Sequence, residues 1–122
     1  MQNFTTFEEI ISWKKARSLN REIYLTTEEV FKKDFDLARQ IRRASVSISS
    51  NIAEGFERHT DKEFIHFLYV AKASAGEVRS QLYLIFDLNY IPNETLENLL
   101  FKVTEISKLL AGFIKYLETK KQ

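Results

Sequence analysis

The chain has no cysteine, and only one proline and three glycines among its 122 residues. Without cysteine there is no disulfide, no thiolate metal site and no cysteine nucleophile, which fits a reducing compartment. So few glycines and prolines leave little material for tight turns and favour long helices over a turn-rich β fold. The net charge is +1. A nucleic-acid site must therefore be a local patch and not a whole-molecule field. No apolar run approaches the roughly 20 residues that span a bilayer. The opening MQNFTTFEEIISWKKAR places Glu8 and Glu9 ahead of its basic residues and has no long apolar segment, so it does not read as a signal peptide. The expectation is a cytoplasmic protein with no membrane contact, forming a single domain over residues 1–122.

What the chain does have is apolar periodicity of helical type. The stretch FDLARQIRRASVSISSNIAEGFER, from Phe35 to Arg58, carries Leu37, Ile41, Ala44, Ile48 and Ile52 on one face. Gly55 follows, where a left-handed cap would end the helix. Ahead of it, a first helix is expected over about 7–31, capped by Thr5 or Thr6, burying Trp13, Ala16, Leu19, Ile23, Thr27 and Val30. The break at 32–36 offers Asp34 or Asp36 as the next cap. Thr60 and Glu63 form a capping box that opens a third helix. Its core stripe is Phe64, Leu68, Ala71, Ala75, Val78, Leu82 and Ile85, flanked by Phe67 and Phe86 and running to Asn89. Pro92 marks the last break, and Asn93 is the expected cap of a fourth helix. That helix buries Leu96, Leu99, Leu100, Val103, Ile106, Leu110, Phe113, Ile114 and Leu117. No strand pattern intervenes. Four long amphipathic helices with short loops predict an all-α, antiparallel up-down-up-down four-helix bundle.

The third helix has a second apolar face: Ile65, Tyr69, Ala73, Gly76, Ser80 and Tyr83 recur at helical spacing opposite the core stripe. Val46, Ser49 and Ala53 echo it on the second helix. A monomeric bundle needs one apolar stripe per helix, so the second face predicts a homo-oligomer interface. A flank of polar residues, Gln40, Ser47, Asn51, Glu54, Glu77 and Gln81, reads as register-fixing pairs or as a pocket.

Catalytic patterns are weak. Glu63 and His66 have the Glu-x-x-His spacing of carboxylate-bridged di-iron bundles, but His59 supplies no second pair and His66 lies opposite the core stripe. Ser45, Ser47, Ser49 and Ser50 have no motif linking them to a histidine, and no glycine-rich phosphate loop exists. The expectation is a protein that is not an enzyme, with no metal and no cofactor. Basic residues are more suggestive. Lys14, Arg17 and Arg21 form one stripe and Arg39, Arg42 and Arg43 another, which together make a candidate phosphate-binding patch if their helices are neighbours. The other reading is a solvated face balanced by Glu22, Glu28 and Glu57.

These residues also carry a resemblance. Phe7-Glu8-Glu9-Ile10, Trp13 and Lys15-Ala16-Arg17 open it; Gln40-Ile41-Arg42-Arg43-Ala44-Ser45 and Asn51-Ile52-Ala53-Glu54-Gly55 form its signature; Phe67-Leu68, Ser74, Glu77 and Gln81-Leu82 continue it. The chain resembles the small four-helix-bundle proteins encoded in intervening sequences of bacterial large-subunit ribosomal RNA genes, related to the accessory protein of diversity-generating retroelements. The linker departs from many relatives, with Lys32 after Phe31 where they have proline. The resemblance implies a homopentameric ring, and for the retroelement branch a basic surface that binds nucleic acid beside a reverse transcriptase. Two functions follow: an RNA- or DNA-binding accessory protein, or an interaction scaffold whose arginines bridge subunits.

Overall fold

The computed structural model describes residues 4–120, and every regular element among them is helical. A short 3-10 turn, Phe7–Glu9, precedes α1 (Ile11–Thr26), α2 (Glu28–Lys33), α3 (Phe35–Phe56), α4 (Asp61–Asp87) and α5 (Asn93–Thr119). The four long helices share one apolar core built from the expected stripes.

Side-chain pairs set the sense of each packing. Asn20 reaches Ser45 and Ser49, while Tyr24 and Thr27 meet Arg42, so α1 and α3 run antiparallel. Lys15 pairs with Glu105, and Glu22 with Lys102, so α1 and α5 do too. Ser74 bonds Ser47 while Gly55 abuts Phe67, which makes α3 and α4 antiparallel.

The expected first helix over 7–31 is broken at both ends. Thr5 donates its N–H and its hydroxyl to the Glu9 carboxylate at 3.0 and 2.8 Å, closing the 3-10 turn; Thr6 makes no side-chain cap bond. Glu9 is held below the usual carboxylate range, chiefly by the Thr5 hydroxyl. Ile10 is then extended and buried, and α1 starts only at Ile11. At the other end the hydroxyl of buried Thr27 donates to the Ile23 carbonyl at 2.7 Å. This back-bonding competes with helix continuation, and α2 sets off separately from Thr27. Trp13, expected in the core, is half-buried at the bundle edge, where its ring meets Phe7 edge-on at 5.1 Å. Leu100 and Phe113 are likewise half-buried.

Asp34 caps α3, accepting from the Leu37 N–H at 3.2 Å. Thr60 accepts from the Glu63 N–H at 3.1 Å and donates to the Glu63 carboxylate at 3.3 Å, so the α4 cap forms as expected. Two other termini differ. Asn93 is the first residue of α5 and not its cap; Pro92 holds the cap position without a side-chain bond. Gly55 lies inside α3, which continues to Phe56, and no glycine has a positive φ. The left-handed residue is Asn89, with φ 63°. Its N–H donates to the Phe86 carbonyl and the Tyr90 N–H to that of Ile85, the doubly bonded Schellman closure of α4. Glycine adopts this conformation with less strain than asparagine. Asn89→Gly is therefore expected to raise stability by up to about 0.5–1 kcal/mol in urea unfolding, and Asn89→Val to lower it by about 1 kcal/mol.

Candidate nucleic-acid interface

Five of the six candidate cations, Lys14, Arg17, Arg21, Arg39 and Arg43, are exposed. Ion pairs within 4.0 Å among the described residues employ other cations: Lys15, Lys32, Arg58, Lys102 and Lys120. Glu22, one of the carboxylates expected to balance the patch, is turned to α5, where it accepts from Lys102 at 2.6 Å.

Arg42 is different. It is half-buried and spends its guanidinium on the protein itself. Nε donates to the Thr27 hydroxyl at 2.9 Å and Nη2 to the Tyr24 carbonyl at 3.1 Å. The guanidinium also sits 4.4 Å from the Tyr24 ring centroid and 4.9 Å from that of Phe31. It thus places a cation at the last turn of α1, on the Tyr24 carbonyl, and locks the α1–α2 corner onto α3.

This anchor joins the two stripes. Arg17, Arg21 and Tyr24 follow at i, i+4 and i+7, so they line one face of α1. Tyr24 carries Arg42, whose neighbours along α3 are Arg39 and Arg43. Arg17 also lies 5.9 Å from the Trp13 ring centroid, and Arg39 5.4 Å from that of Phe35. Stacking on a ring restrains a long side chain while leaving its donors outward. Beneath, Ser45 donates to Asn20 at 2.7 Å and Asn20 to Ser49 at 3.0 Å, a buried network fixing the register of α1 on α3. Ser49 is therefore committed to the core seam and does not belong to an outer face with Val46 and Ala53. No motif announces the Asn20 network; the antiparallel register creates it.

The second face of α4 points outward. Tyr69 and Tyr83 are 50% and 48% exposed; Ala73, Gly76 and Ser80 are exposed, and Ile65 is half-buried. A Cβ on Gly76 would meet nothing within 4 Å. Tyr69 donates to Glu118 at 3.2 Å, and the charge of that carboxylate raises its phenol pKa. The expected polar flank bonds mostly along its own helices: within α3 Asn51 donates to the Ser47 carbonyl at 2.8 Å, and within α4 Gln81 donates to Glu77 at 3.4 Å, while Ser74 to Ser47, at 3.0 Å, is the bond across the seam. Gln40, Arg43, Ser47 and Glu77 line a polar cleft of about 290 Å³ beside these contacts.

Glu63 is occupied at the α4 cap and with Arg58, and His66 is exposed against Phe67. Among the described residues no three His, Cys, Asp or Glu side chains gather to hold a metal. No helix among them is long and apolar enough to cross a membrane.

Fold and surface together define a small all-α bundle that presents arginines in stripes across two antiparallel helices. The chain belongs to the 23S rRNA-intervening sequence protein family, whose sequence profile matches residues 8–112. It is similar to a crystal structure of a protein with unknown function from the S23 ribosomal protein family of Bacteroides thetaiotaomicron VPI-5482. The two are 30% identical, the likeness covers 86% of this chain and 99% of that one, and the TM-score is 0.83. No match was found among functionally curated proteins.

Proposed function

We propose that this protein is a non-enzymatic, cytoplasmic accessory protein that binds structured RNA. Lys14, Arg17, Arg21, Arg39 and Arg43 contact phosphates, and Arg42 holds their two helices in register. The observation that carries this reading is the run of exposed cations that, among the described residues, have no carboxylate within 4.0 Å, made continuous by Arg42 on Tyr24. An arginine already paired to a carboxylate would exchange one partner for another on binding a phosphate; Arg17, Arg21, Arg39 and Arg43 give up no ion pair among the described residues. Exposed Tyr24 and Phe35 beside Arg42 and Arg39 add faces on which an unpaired base can stack. The open α4 face supports assembly of several copies, a ring of five by family resemblance, and a ring repeats the cationic surface so that weak contacts multiply.

Binding of a structured RNA hairpin is expected to weaken steeply as salt rises, because each neutralised phosphate releases counterions. Replacing Arg17, Arg21, Arg39 and Arg43 together by Glu abolishes retention, and each single Arg→Ala change lowers the salt slope by about one. Sedimentation of the charge-reversed protein is expected to match that of the parent. Loss of the assembly instead would favour a scaffold whose arginines bridge subunits. No RNA retention at low salt overturns the proposal.

A further inference from the structure

The large apolar side chain most exposed among the described residues is Phe101, at 71%, on the outer face of α5. Neither the α4 face nor the arginine patch includes it. Glu94, Glu97, Glu105, Lys108, Gly112 and Lys115 share its face, within about 40° at 100° per residue. Their order has a pattern: the carboxylates precede the lysines. Gly112 is open, since a Cβ there would meet nothing within 4 Å. Beside it, Ile11, Leu109 and Phe113 line an apolar groove of about 460 Å³ between the start of α1 and the end of α5.

We infer that this face binds a second copy of the same chain, α5 against α5 in antiparallel register. A two-fold axis at the level between Ile106 and Ser107 sets Phe101 of each copy opposite Gly112 of the other, with its ring over the groove. The same axis sets Glu105 opposite Lys108 and brings Glu97 beside Lys115. One symmetry operation therefore matches the exposed ring to the open glycine and the acidic half of the helix to its basic half. That self-complementarity is what an isologous contact requires. A parallel pairing would stack like charges and leave both grooves empty. Among the described residues Lys108 and Lys115 make no ion pair within 4.0 Å, while Glu105 contacts Lys15 at 3.5 Å and is itself about two-fifths exposed, leaving an oxygen for a second partner. This interface is separate from the α4 face, so it joins two copies whether or not a larger ring forms.

Because the chain has no cysteine, engineered thiols report only the contact they probe. Positions 101 and 112 are about 16 Å apart along one helix, too far for an intramolecular disulfide. Oxidised at a protein concentration at least about a hundredfold above the parent's dimer dissociation constant, which offsets the loss of the Phe101 ring, the double variant Phe101→Cys/Gly112→Cys is expected to form a covalent dimer. Phe101→Cys alone stays uncrosslinked, because the two copies of position 101 lie about 16 Å apart. Mixing the two single variants gives one crosslink between them. Phe101→Ser, at a position exposed in the single chain, keeps the helical signal and weakens this dimerisation by about tenfold or more in sedimentation equilibrium. Tyr69→Glu/Tyr83→Glu in the double-cysteine background leaves the crosslink intact, which separates this contact from the α4 face. A double variant that stays monomeric on oxidation, equally efficient linking by Phe101→Cys alone, or unchanged association of Phe101→Ser overturns the inference.

Discussion

Gly55→Ala is expected to destabilise the protein by about 2 kcal/mol, against the usual direction for a glycine inside a helix. At an ordinary helical site the change gains up to about 1 kcal/mol, because alanine has the better helix propensity. At Gly55 the added Cβ would stand 2.6 Å from the Phe67 Cβ and 2.9 Å from Phe64 Cδ1. The first of these is rigidly tied to the α4 backbone and cannot rotate away, so the two helices must part. Overpacking of this kind costs about 1–3 kcal/mol, and here it disrupts a seam whose rings Phe56, Phe64 and Phe113 stack edge to face at 5.9 and 5.3 Å. The melting temperature should fall by about 6–10 °C. Gly76→Ala is the control: open space lies above it, and the same chemical change should stabilise the single chain by about 0.5–1 kcal/mol. If Gly55→Ala proves neutral, the close approach of α3 and α4 at this point is wrong.

Arg42→Ala is expected to cost about 2 kcal/mol, and Arg42→Lys to recover less than half of it. The guanidinium makes two hydrogen bonds in divergent directions and lies near two rings, so its planar fork serves four partners at once. An ammonium offers one point charge and satisfies a single acceptor well. Urea unfolding should show a lower midpoint with an unchanged slope, since the exposed area of the unfolded chain is the same. A double-mutant cycle with Thr27→Val should give a coupling of about 1 kcal/mol, because Nε and the Thr27 hydroxyl are direct partners at 2.9 Å. Amide exchange should quicken first in α2, a short helix held through this corner. Full recovery by lysine would mean that charge alone matters at this position.

The arginine thus changes standing between sequence and structure. On a helical wheel Arg42 is one of three cations on the outward side of its helix, equivalent to Arg39 and Arg43. Only when α1 lies antiparallel against α3 do Tyr24 and Thr27 arrive beneath it. A residue's role at a seam depends on what the neighbouring helix brings, and a one-dimensional pattern holds no such information. Gly55 teaches the same point: a glycine near the end of an apolar pattern signals a cap, yet here its missing side chain is what α4 requires. α3 closes at Glu57 without a left-handed residue; that conformation appears at the end of α4, at Asn89, which tolerates positive φ and precedes a tyrosine that packs on the core.

The helical class, the core stripes of α3, α4 and most of α5, and the cap at Thr60 were determined by sequence alone, as was the choice of Asp34 or Asp36 for α3, from which the structure takes Asp34. These depend on contacts within one helix, three or four residues apart, and their apolar period is preserved whatever the neighbours are. Tertiary structure decided the close approach at Gly55, the anchoring of Arg42 and the isolation of Phe101 on an open face. Each depends on which helix lies alongside and in what register, and that is settled by packing of the whole core at once.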